Sequence, residues 1–104
     1  MTYKKQFNRK FKQPLDKSNS KNDIKKLTGI KRIVLNRIYD RGIGAYRTNP
    51  KSVRPQVKSE EQWAMARVYS TIMNYYHWKK TGKEKGAFKY DRDIFEKYQK
   101  NLIN

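Results

Sequence analysis

The sequence predicts an all-α domain of about three helices behind a basic amino-terminal arm, and three observations carry that expectation. Apolar residues recur at helical spacing in two long stretches, while no alternating pattern long enough for a strand is present. Cap and stop residues fall at the ends of those stretches. The chain has 104 residues, with 26 Lys and Arg against nine Asp and Glu, which leaves room for one modest core inside a field of +17.

Residues 1–22 read as the arm. They hold seven Lys or Arg and one Asp, a net of +6, and Tyr3, Phe7 and Phe11 recur every four residues among Lys4, Lys5, Arg9, Lys10 and Lys12. Pro14 and the Ser-Asn-Lys stretch after it oppose regular structure. Two readings stand: a solvated disordered tail, or an arm ordered by a partner. Either way, its removal is expected to spare the fold of the helical domain, residues 23–104.

Helix one is expected from about Asp23 to Tyr39, capped by Asn22 or Asp23, with Ile24, Leu27, Ile30, Val34, Leu35 and Ile38 as its apolar stripe. Gly29 costs about 1 kcal/mol against Ala in a helix interior, so the helix begins at Ile30 or breaks near Thr28. Lys25, Lys26, Lys31, Arg32 and Arg37 lie off the stripe, as a solvated face or as cations facing a partner.

The run from Arg41 to Ser70 joins two breaker-rich turns to a capped helix. Gly42, Gly44, Pro50 and Pro55 punctuate the backbone, Thr48, Asn49 and Ser52 supply short polar groups, and Arg41, Arg47, Arg54 and Arg67 supply planar cationic forks. Helix two opens at Ser59, with Gln62 three residues later as a capping box, and runs to about Lys80. Its apolar face comprises Trp63, Ala66, Val68, Tyr69, Ile72, Met73 and Tyr76. Arg67 shares that face, either bonded to loop carbonyls or aimed out of the core at an anion. A basic loop with Gly82 and Gly86 follows, and Asp91 is expected to cap a short last helix carrying Ile94, Phe95, Tyr98, Leu102 and Ile103.

The block also resembles a small domain encoded by tailed bacteriophages and large DNA viruses. The matching text is RGIGA (residues 41–45), TNP (48–50), SVRP (52–55) and QWAMARVYS (62–70). It covers less than a third of the chain. The resemblance implies a viral source and supplies no catalytic residues.

Nothing in the sequence assembles an enzyme. His77 is the sole histidine, cysteine is absent, and the spacings that bind zinc are missing. Asp40, Asp91, Asp93 and Glu96 could in principle hold Mg²⁺, but Asp91 and Asp93 have helix-start roles and no spacing joins them to Asp40. RGIGA lacks the frame that cradles nucleotide phosphates. No cofactor or metal is therefore expected. No run approaches the roughly 18 apolar residues needed to span a bilayer, and the first twenty are too polar for a signal-peptide core, so the expected setting is the host-cell cytoplasm or a virion, with no membrane partner.

The charge points to nucleic acid, DNA or RNA, held by its phosphates without strong sequence preference, because no base-reading signature is evident. Lys4, Lys5, Arg9, Lys10, Lys12, Lys31, Arg32, Arg37, Arg41, Arg47, Lys51, Arg54 and Arg67 are the expected contacts. The alternative is a virion or assembly component whose Arg41–Ser70 block docks a protein partner, with Tyr and Trp as anchors.

Overall fold

The computed structural model describes residues 2–48 and 59–99. Five helices follow in order: α1 (Tyr3–Lys10), α2 (Lys21–Thr28), α3 (Arg32–Thr48), α4 (Glu60–Thr81) and α5 (Phe88–Tyr98). No strand occurs among the described residues. Five helices replace the expected three because residues 1–22 contribute one and Gly29 divides the expected first helix in two.

The basic segment is part of the body. Thr2 caps α1 by accepting from the Lys5 N–H at 3.2 Å, and the four-residue spacing of Tyr3, Phe7 and Phe11 turns those rings toward α4. Phe7 has no exposed surface and meets Tyr69 edge-on at 5.2 Å between ring centroids. After α1, the chain folds back over it through a buried amide network. Asn8 Nδ2 donates to the carbonyls of Leu15 (2.9 Å) and Lys17 (3.0 Å), Asn19 Nδ2 donates to Asn8 Oδ1 at 2.8 Å, and the Asn19 N–H reaches the Tyr69 hydroxyl at 3.2 Å. Pro14 and the polar stretch do prevent helix there, but the Leu15 and Lys17 carbonyls are satisfied by amide side chains and the Pro14 carbonyl by the Lys17 N–H.

A complete capping box opens α2: the Asp23 N–H donates to Ser20 Oγ and the Ser20 N–H to Asp23 Oδ2, each at 3.1 Å. The cap is therefore Ser20, upstream of the expected Asn22 or Asp23. Gly29 ends the helix in the left-handed region, φ 75°, where a side chain is disfavoured. The expected glycine-rich turn at residues 41–45 is helical, and α3 continues to Thr48. Gly42 accounts for this: a Cβ there would stand 2.8 Å from the Ala64 Cα, so its missing side chain is what lets α3 cross α4. The remaining turn residues of the block, Asn49 to Lys58, lie outside the described residues.

Ser59 caps α4 as expected, accepting from the Gln62 N–H at 3.1 Å, and Gly82 closes it at φ 75°. This helix is the centre of the molecule, packed by α1, α3 and α5, while α2 rests on α3. Val68, Tyr69 and Ile72 are buried as the periodicity requires. Tyr75, outside the expected stripe, is buried too, stacked on Phe95 at 4.6 Å, whereas Ala66 and Leu27 face solvent. Among the described residues, no helix is long and apolar enough to cross a membrane.

Candidate nucleic-acid interface

Two populations of cations emerge once the helices are placed. In the first, arginines meet carboxylates. Asp91 is not the cap of α5; it lies in the first turn with no exposed surface. Arg67 grips it with two bonds, Nη2 to Oδ1 at 2.7 Å and Nε to Oδ2 at 3.1 Å, and the Thr71 hydroxyl donates to Oδ2 at 2.8 Å. Arg67 and Thr71 are four apart on α4, so one helical face presents both donors.

Arg41 reaches the same carboxylate at 3.5 Å, forks onto Asp93 at 2.8 and 2.6 Å, and donates to the Tyr90 carbonyl at 2.7 Å. These bonds hold the Asp93 carboxyl below its ordinary range and push the Arg41 guanidinium up. Arg47 similarly forks onto Glu60 at 2.8 and 2.9 Å, and Arg92 bonds Glu84 and Glu96. Arg67 is thus bonded to a carboxylate, neither of the two outcomes anticipated from the sequence. Arg41, Arg47 and Arg67 spend their forks within the fold, between α3, α4 and α5.

The second population is made largely of lysines on the amino-terminal side. Residues 2–32 contain eleven Lys and Arg against two Asp, a net of +9. Lys5, Arg9, Lys10, Lys12, Lys25, Lys26, Lys31 and Arg32 are exposed. Several have a neutral partner that positions the stem and leaves the charge free to attract an anion: Lys4 donates to Ser18 Oγ at 3.2 Å, and Lys10 and Lys21 lie over the rings of Tyr76 (4.5 Å) and Tyr39 (3.9 Å). Arg32 bonds the side-chain carbonyls of Asn22 and Asn36. Arg37 sits 5.6 Å from the Tyr98 ring, at the edge of a cleft of about 340 Å³ between α3 and α5 that Asp40 and Lys97 also line.

The expected contacts therefore separate. Lys4, Lys5, Arg9, Lys10 and Lys12 cluster on and just after α1, against α4; Lys31 lies just before α3, and Arg32 and Arg37 along its first turns, beside α2 and α5. Lys51 and Arg54 lie outside the described residues. Lys25 and Lys26 of α2 join the exposed set, with half-buried Lys21 beside them, a contribution that the charge count per segment contained but the selection of contacts passed over. His77 is half-buried in α4. Among the described residues, no three His, Asp or Glu side chains gather as metal ligands.

Fold and surface define a small, basic, all-helical domain in which Arg41, Arg47 and Arg67 knit the helices together while most lysines face outward. The chain belongs to the family of unknown function DUF5824, whose model matches residues 1–94. No curated protein and no solved structure matches it.

Proposed function

We propose that this protein is a non-enzymatic nucleic-acid-binding domain that holds phosphates through the exposed cations of α1, α2 and the start of α3. The observation that carries this reading is the partition of charge. Of nine carboxylates in the chain, five are bonded by Arg41, Arg47, Arg67 and Arg92, so they do little to offset the lysines of residues 2–32. A surface of one sign attracts a polyanion at long range and gains affinity by releasing its counterions. In the viral setting that the Arg41–Ser70 resemblance implies, a viral genome is such a polyanion.

The test is the salt dependence of binding to random duplex and single-stranded nucleic acid. The affinity should fall with a slope in log–log form steeper than about −3, as expected when several phosphates are neutralised. A flat salt response, or no binding at low salt, would remove the proposal.

A further inference from the structure

We infer that α2, the turn at residues 29–31 and α3 form a helix-turn-helix, and that the first two turns of α3 enter the major groove of duplex DNA. This rests on the nucleic-acid reading above and narrows it to a substrate and a docking mode. A DNA-binding helix-turn-helix needs two helices joined by a three- or four-residue turn, often containing glycine, with the amino-terminal residues of the second helix free to meet base edges. Here an eight-residue α2 ends at Thr28, Gly29 turns the chain in the left-handed region, and α3 starts at Arg32.

Burial locks the pair together. Ile24, Thr28, Ile30, Val34, Leu35 and Ile38 are all buried. The Thr28 hydroxyl ties the corner, donating to the Ile24 carbonyl at 2.7 Å and accepting from the Ile30 N–H at 3.1 Å. The Gln99 side chain fixes the start of α3 from α5, accepting from the Lys31 N–H at 2.9 Å.

With those positions inside, the open face of the first turns of α3 carries Arg32, Ile33, Asn36 and Arg37, with exposed Lys31 in the turn just before it. Ile33 is 41% exposed, an apolar side chain presented to water among cations. Arginine for guanine, asparagine for adenine and an aliphatic group for the thymine methyl are the side-chain chemistry that major-groove edges select. Arg32 is held over this face by Asn22 and Asn36.

The charge fits the same partner. The first turn of α3 contains no acidic residue, so Lys31 and Arg32 sit at the positive end of its dipole, an arrangement that costs the free protein stability and that a phosphate relieves. Lys25 and Lys26 flank it on α2, the helix that crosses the backbone in this docking mode. Asp40, one turn beyond Asn36, limits the cationic stretch to the beginning of the helix.

The experiment compares full-length protein on duplex DNA and duplex RNA of one sequence, and on the DNA after methylation of guanine N7, a major-groove atom. Duplex DNA should bind about tenfold tighter than RNA, whose major groove is too deep and narrow to admit a helix, and methylation should interfere. Ile33→Glu should weaken DNA binding about tenfold or more, whereas Tyr90→Glu, the same charge change at a 72% exposed site beside Arg41, should change it by no more than about twofold. If Ile33→Glu fails a thermal-melt check of folding, the RNA comparison and the methylation interference decide without any variant. Equal affinity for both duplexes with no interference overturns the groove assignment and leaves phosphate binding standing. Absence of binding to either duplex overturns both.

Discussion

Asp91 has no exposed surface and accepts from Arg67, Thr71 and Arg41, so its carboxylate is held where α3, α4 and α5 meet. Removing one partner of such a buried pair leaves an uncompensated charge. Arg67→Ala should therefore destabilise by about 3 to 5 kcal/mol in denaturant unfolding, while Arg67→Ala with Asp91→Ala should cost less than the sum of the two single changes. Strict additivity would show that the two side chains are not coupled. Helix-start chemistry alone assigns Asp91 to a cap, because its partners lie 20, 24 and 50 residues away and no local pattern records them. Lys12 is a second residue whose conformation the sequence hides. It adopts φ 56°, the left-handed region, immediately after α1. Lys12→Gly should raise stability by about 1 kcal/mol in the same assay, since glycine carries no penalty there.

Among the helices, α3 gives the sharpest contrast between two glycines that look alike in RGIGA. Gly42 faces the Ala64 backbone, whereas nothing lies within 4 Å of a Cβ placed on Gly44. Gly42→Ala should push α3 off α4 and lower the melting temperature, at a cost of about 1 to 3 kcal/mol typical of overpacking. Gly44→Ala should raise it, by up to about 1 kcal/mol from helix propensity. A loss on Gly44→Ala equal to that on Gly42→Ala would mean the crossing is not the constraint. The same logic reverses the expectation for the amino-terminal segment. Phe7 is buried against Tyr69, and Asn8 and Asn19 are bonded to each other and to Tyr69 through Asn19. Truncation to Asp23 should therefore abolish cooperative melting, since it opens the cavity of a large aromatic and strands a hydroxyl.

For the molecule as a whole, the carboxylates are the scarce charge and acid is the condition that removes them. Backbone and side-chain bonds from Ser20 hold Asp23 below its ordinary range, and arginine bonds do the same for Glu60 and Asp93. A carboxylate depressed in the folded state contributes stability that is present above its unfolded value and is lost as pH falls through the folded one. Melting temperature should thus hold near neutrality and drop from about pH 4 downward, while the surplus of positive charge sharpens the loss. Arg41→Ala, which frees Asp93, should flatten that drop; an unchanged acid profile in this variant would exclude the pair as a contributor.

Helical class, the cap at Ser59, the burial of Ile24, Ile30, Val34, Leu35, Ile38, Val68 and Ile72, and the basic surplus of the amino-terminal third were all legible in the chain, because periodicity, capping and charge depend on residues within a few positions of one another. The burial of Phe7 and Tyr75, the helical path through Gly42 and the binding of Arg41 and Arg67 to Asp91 were not. Each depends on a surface brought from another helix, and contacts across 20 to 62 positions leave no local trace when a side chain could equally have faced water. The break at Gly29 stood between these cases: the glycine was visible as a weak point, and the packing of Ile24 and Ile30 around it made the weak point a turn.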